Sequence, residues 1–159
     1  YYLEKMLDSM MAVYPVARQA AIEQGMYDGV AAGKLKTADD FDNMTQSIGE
    51  KYSIWYKKNP DAKLEWTIVH HFFTQPMYYV NYVFAQMLAL KYYQMYQNDP
   101  KGFIPKFLAL VKNGFDASPS DLLKKYLNID FMDPNFVSDA VAVVKPKLAE
   151  LEAAYRSQK

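Results

Sequence analysis

Two histidines, His70 and His71, stand side by side in this sequence, and an aromatic run follows them: Phe72 and Phe73, then Tyr78, Tyr79 and Tyr82. Phenol hydroxyls donate hydrogen bonds, and an imidazole can do the same, so such groups can stabilise a developing oxyanion. On a helix beginning at Pro76, Tyr78 and Tyr82 lie four apart and share a face, with Tyr79 flanking them and His71 in the segment just before. This is the chemistry of a catalytic accessory, which needs its nucleophile from elsewhere. The same spacing also describes a packing face. With 14 tyrosines in the chain, most must sit with rings buried and hydroxyls in water.

Other chemistries find less support. Neighbouring residues point about 100° apart on a helix and to opposite faces on a strand, which argues against metal or haem binding through His70 and His71 together. Neither histidine belongs to an H-E-x-x-H motif, in which two ligands one helical turn apart hold zinc. Cysteine is absent, which excludes thiolate metal sites, cysteine nucleophiles and disulfides and fits a reducing compartment. The six glycines form no phosphate-cradling loop. Asp39, Asp40 and Asp42 follow Thr37 and are better explained by helix-start electrostatics than by a carboxylate site. Met6, Met10 and Met11 suit either an adaptable interface or an irregular core.

The elements that must carry these residues read as helices. Apolar positions step by threes and fours from Tyr1 to about Ala32, with Pro15 as the expected break, giving one long or two short helices. Thr37 is an expected N-cap, and Phe41, Met44, Ile48, Tyr52 and Trp55 mark one face of the next helix. The stretch from Trp66 to Phe73 is compatible with a strand or a helix. A helix is predicted from Pro76 to about Gln97. Asp99-Pro100, Ser118-Pro119 and Asp133-Pro134 each read as a cap followed by proline at the head of a further helix. Pro105 is expected to delay the regular part of its helix, and Pro146 to bend a final helix running from Asn135 to about Arg156. No hairpin signal or long linker interrupts the series, so the expected fold is a single all-α, multi-helix domain.

Composition bounds the partners. The chain has 159 residues, 51% of them hydrophobic and 23% charged, enough for a buried core. Lysine plus arginine balance aspartate plus glutamate at 18 each, so no bulk field draws in nucleic acid or an anionic membrane. The apolar run around Val83 to Leu90 is far shorter than the ~20 residues needed to span a bilayer. The expectation is a soluble protein without nucleic-acid or membrane partners. Because the first residue is Tyr1 and no targeting segment is visible, the chain is expected to be a piece of something longer.

The stretch from Leu64 through Trp66, His70-His71-Phe72-Phe73 and Tyr78-Tyr79-Val80-Asn81-Tyr82 resembles the C-terminal catalytic segment of oligoendopeptidase F, in the thimet family of zinc metallopeptidases. Upstream, Tyr2-Leu3-Glu4-Lys5 and Arg18-Gln19 are similar to that family's helices after the zinc site, and Lys34 to Asp40 to its turn into the next helix. Downstream, Phe107-Leu108-Ala109-Leu110, Asn113-Gly114 and Ser118 to Leu123 are similar to its closing helices. His70 stands where the family usually has proline, and Val83, Phe84 and Ala85 where it tends to have a small residue or glycine.

The resemblance implies that residues 1–159 are the C-terminal helical part of a cytoplasmic zinc oligoendopeptidase acting on short peptides. This part forms one wall of a peptide channel. The zinc ligands belong to the upstream half of the same polypeptide, which leaves this chain without a metal site and inactive alone. Tyr82 then matches the oxyanion-donating tyrosine and Tyr78 a second candidate one turn earlier. His71 matches the histidine before the aromatics, and His71 and Tyr79 the substrate-aligning residues, with the register at Tyr78 and Tyr79 open by one. A noncatalytic helical module that binds a peptide or a partner helix is the competing expectation.

Overall fold

A computed structural model describes residues 1–157, and among the described residues every regular element is helical. Ten α-helices follow one another: α1 (Tyr2–Met11), α2 (Val13–Ala31), α3 (Ala38–Tyr52), α4 (Glu65–Ile68), α5 (His71–Thr74), α6 (Val80–Asn98), α7 (Pro100–Asn113), α8 (Pro119–Leu127), α9 (Phe136–Val141) and α10 (Val144–Ser157). Two short 3₁₀ turns, Tyr56–Lys58 and Ala62–Leu64, join α3 to α4. The all-α expectation holds. The helices group into two compact units, Met11–Gln86 and a second made of Tyr1–Met10 with the chain from Met87 onward.

The unit Met11–Gln86 carries the histidines and the tyrosine run. Its core is Ile22, Met26 and Phe72, with Phe41, Met44, Ile48, Trp66, Val69 and Tyr79 packed around them. Ile22 and Met26 are one turn apart on α2, and Met44 and Ile48 one turn apart on α3, so each helix offers a narrow apolar stripe. Gly25 lets these stripes approach: a Cβ there would lie 2.9 Å from Ile48 Cδ1 and from Met44 Sδ. The N-terminus of α3 is closed by a capping box. Thr37 Oγ1 accepts the Asp40 amide at 3.3 Å while the Asp40 carboxylate accepts the Thr37 amide at 2.8 Å. Near the other end of α3, Gly49 makes room for the ring of Tyr56, which a Cβ would meet at 2.3 Å.

The second unit packs Leu7 and Met10 of α1, Met87 and Leu90 of α6, and Leu122, Leu123 and Leu127 of α8 out of water, together with Ile129, Phe136, Ala140 and Val144. Tyr92, Phe103 and Phe107 form an aromatic cluster with ring centroids 5.4–6.0 Å apart. Asp99 accepts the Gly102 amide at 3.0 Å at the head of α7, and Ser118 accepts the Asp121 amide at 3.2 Å at the head of α8, as their cap-then-proline sequences predict.

Several boundaries differ from expectation, each for a local reason. The first helical run breaks at Ala12, so that Pro15 falls in the opening turn of α2, where a missing N–H costs nothing. Pro105 lies inside α7 without delaying its start. Asp133 instead accepts the Asn135 amide at 2.9 Å, which postpones the helix to Phe136. The expected final helix is two, and Pro146 sits in the first turn of α10 in place of a bend. Trp66 to Phe73 forms parts of two short helices, α4 and α5, separated by Val69 and His70. Pro76 lies in the turn before α6, which begins only at Val80.

Because the Tyr56 ring fills the space beside Gly49, replacing Gly49 with Ala is expected to lower stability by about 1–3 kcal/mol, the usual cost of overpacking. Chemical denaturation of the Gly49→Ala chain measures it; an unchanged midpoint would show that the ring is not held against the helix.

Candidate functional site

His71 opens α5, and the turn after that helix folds back so that the tyrosine run meets its ring. Met77 adopts φ 58, a left-handed conformation that reverses the chain without a glycine. Tyr78 therefore precedes α6 instead of riding on it, and a helical face is not what joins it to Tyr82. Even so, the four residues gather. The Tyr78 ring lies nearly parallel to that of His71, with centroids 6.0 Å apart and 12° between planes. Tyr82 meets His71 edge-on at 5.8 Å, and its hydroxyl stands 3.4 Å from His71 Nε2. Tyr79 touches the same cluster, 6.2 Å from His71 and 5.1 Å from Tyr82 by centroid.

Exposure separates the phenols. Tyr78 is 42% and Tyr82 37% exposed, whereas Tyr79 is half-buried and its hydroxyl donates to Gln19 Oε1. The Tyr79 phenol is held above its ordinary pKa, first by burial and then by the negative charge of Glu65. It stays protonated and occupied, while Tyr78 and Tyr82 face water.

Behind the cluster lies a polar network that the sequence did not single out as a site. Arg18 forms a two-pronged bond with Glu65, Nε to Oε2 at 2.9 Å and a terminal nitrogen to Oε1 at 2.8 Å. Gln19 donates from Nε2 to Glu65 Oε1 at 2.9 Å, which turns its carbonyl oxygen toward Tyr79. The Tyr56 hydroxyl donates to the Ala62 carbonyl at 2.6 Å and lies 3.1 Å from Glu65 Oε2; burial, followed by that carboxylate, raises its pKa. Burying this ion pair costs desolvation, but the extra donors fill the carboxylate's remaining lone pairs, so the network specifies geometry more than it adds stability. Further along α2, Glu23 accepts the Tyr79 amide on Oε2 at 3.1 Å, and the Tyr27 hydroxyl donates to the Phe72 carbonyl at 2.7 Å. The signal that could have found this network is the row of polar residues at 19, 23 and 27, one turn apart on an otherwise apolar-facing helix.

The three aspartates part company. Asp40 belongs to the capping box, but Asp42 is buried and accepts Trp66 Nε1 at 2.9 Å, with Lys63 Nζ 3.2 Å away. Helix-start electrostatics therefore does not account for Asp42. Its carboxyl is held below the usual range, first by the Trp66 indole and then by Lys63.

A shallow hollow of about 630 Å³ is lined by Arg18, Trp55, Tyr56, Leu64, Glu65 and Ile68, and the histidine–tyrosine cluster does not border it. Among the described residues no group of three or more His, Asp or Glu side chains could hold a metal ion. His70 lies beside His71, with ring centroids only 4.1 Å apart, closer than the divergence expected of neighbours. The other rings around His71 are phenols and supply no further ligand of that kind, so the residues present do not fit a zinc ion. Among the described residues no helix is long and apolar enough to cross a membrane.

Over 160 residues the chain is 29% identical to an oligoendopeptidase F homolog of Lactococcus lactis subsp. lactis (strain IL1403) and 29% identical to the plasmid oligoendopeptidase F of Lactococcus lactis subsp. cremoris. Each match takes in 94% of this chain and 25% of the relative, so the chain spans about a quarter of their length. No protein-family model matches it, and no solved structure does. The resemblance to oligoendopeptidase F read from separate motifs thus extends along nearly the whole chain.

Trp66→Phe removes the donor that most lowers the Asp42 pKa, so that pKa is expected to rise toward the ordinary value of 3.8. A depressed carboxylate contributes stability that is complete above its unfolded-state pKa and is lost as pH falls through the lower folded-state value. Carboxyl NMR titration and acid unfolding should therefore show the wild type keeping an advantage at neutral pH that shrinks below about pH 4; a pH-independent difference between the two proteins would contradict the assignment.

Proposed function

We propose that residues 1–159 form the C-terminal helical part of a zinc-dependent oligoendopeptidase that hydrolyses short peptides in the cytoplasm. In this reading the chain is one wall of the peptide channel. The zinc ion belongs to the upstream polypeptide, since the residues here do not fit it, and the chain alone is inactive. The observation that carries the reading is the gathering of His71, Tyr78 and Tyr82 around one exposed spot, in a chain whose named relatives are oligoendopeptidases.

The geometry supports the following roles. The Tyr82 hydroxyl donates a hydrogen bond to the oxygen on which charge develops as the peptide carbonyl becomes tetrahedral. Tyr78 provides a second phenol donor beside it. His71, 3.4 Å from the Tyr82 hydroxyl, orients that phenol and aligns the peptide. Tyr79, with its own hydroxyl taken by Gln19, meets the substrate through its ring. A donor prepositioned in this way contributes chiefly to the transition state, where the oxygen carries most charge.

In the full-length protein, Tyr82→Phe is expected to lower kcat by about 10²-fold or more while KM changes little, because the lost contact belongs to the transition state. Steady-state hydrolysis of a quenched fluorescent peptide reads both constants, and an unchanged kcat would favour a noncatalytic peptide-binding wall instead. The isolated chain, supplied with zinc and the same peptide, should show no hydrolysis. Turnover abolished by a chelator would overturn the assignment of the metal to the upstream half.

A further inference from the structure

We propose that Gln19, Glu23 and Tyr27 are the positioning residues of the histidine–tyrosine site, a row on α2 that fixes the segment bearing it at three points. The proposal rests on the reading of that site given above for its catalytic consequence, but not for its geometry.

The three residues are spaced by four, so they stand one above another on a single face of α2, about 6 Å apart along its axis. Each bonds a different group, and each group belongs to the segment that carries the site. Tyr27 donates to the carbonyl of Phe72, the residue after His71. Glu23 accepts the amide of Tyr79, the residue after Tyr78. Gln19 accepts the hydroxyl of Tyr79 itself, three residues before Tyr82. Phe72 is 1% exposed and packs edge-on against Tyr79 at 5.6 Å, so the anchors close around a shared aromatic contact. Two fixed points would still leave the segment free to rotate about the line joining them, and the third removes that freedom. His71 and Tyr82 are thus held from behind, where the Tyr82 hydroxyl meets His71 Nε2 at 3.4 Å.

Glu23 is the most telling of the three. It is 1% exposed, its Oε2 takes the Tyr79 amide, and its Oε1 has no hydrogen-bond partner. Leaving a buried carboxylate oxygen unbonded is unfavourable, so packing alone does not explain an acidic residue here. A glutamine in its place keeps the acceptor oxygen; an alanine removes it.

The test uses the 159-residue chain and the full-length protein in parallel. In the chain, nuclear Overhauser contacts between the rings of His71 and Tyr82, and the exchange rate of the Tyr79 amide, report the geometry directly. Glu23→Ala is expected to weaken the His71–Tyr82 contacts and to speed exchange of the Tyr79 amide at least tenfold, while Glu23→Gln keeps both near wild type. Tyr27→Phe removes a single hydroxyl without disturbing the helix, and should weaken the same ring contacts should Glu23→Ala fail to fold. In the full-length protein, Glu23→Ala and Tyr27→Phe are expected to lower kcat about tenfold with KM nearly constant, and Glu23→Gln to restore it. Unchanged ring contacts in both folded variants would overturn the positioning role whatever the kinetics show. Lost contacts with an unchanged kcat would uphold the positioning role and remove the catalytic one from the cluster.

Discussion

The unit that carries the site depends on one chain of hydrogen bonds: Arg18 to Glu65, Glu65 to Gln19, and Gln19 to Tyr79. Every member is at least partly shielded from water, so each bond is stronger than its surface counterpart and each missing partner more costly. Arg18 has a matched fork for both carboxylate oxygens, and the Gln19 amide is oriented by the carboxylate on one side and a phenol on the other. Burial first, and then the charge of Glu65, raises the pKa of Tyr79, and the same carboxylate orients the Gln19 amide whose oxygen accepts the Tyr79 hydroxyl's hydrogen bond.

Apolar packing sets the distances over which this network works. Ile22, Met26 and Phe72 bring α2 against α5, and Gly25 allows α3 to close in beside them. Burying a side chain such as Phe72 is worth roughly 2–3 kcal/mol, comparable to several net hydrogen bonds. Packing thus supplies the larger share of stability, and the polar row on α2 selects one arrangement among those that packing alone would tolerate.

Much of this was legible in the residues. The helices were, because three-and-four stepping and the paired signals Thr37 with Asp40, Asp99-Pro100 and Ser118-Pro119 are local. Each needs only its immediate neighbours to form. The gathering of His71 with Tyr78 and Tyr82 was also legible, though through a different route. A shared helix face was expected, and a left-handed residue at Met77 brings Tyr78 to His71 instead. Asp42 and Glu65 were not legible as partners of Trp66 and Arg18, because ion pairs and indole bonds across 24 and 47 residues leave no periodic trace in one sequence. Pro76, expected to begin a helix, lies in the turn before α6, and Pro146, expected to bend one, sits in the first turn of α10, because proline suits several positions near a helix start.

The bonds behind the cluster join residues 45, 56 and 60 positions apart, the last being Tyr79 with Gln19. Closing contacts between segments that distant costs more chain entropy than forming a helix does. Met77 bends left-handed without glycine's latitude, so its own preferences do not favour that bend. The arrangement of the cluster is therefore a property of the finished fold, and a peptide cut to contain only the aromatic run would carry every one of its side chains and none of its shape.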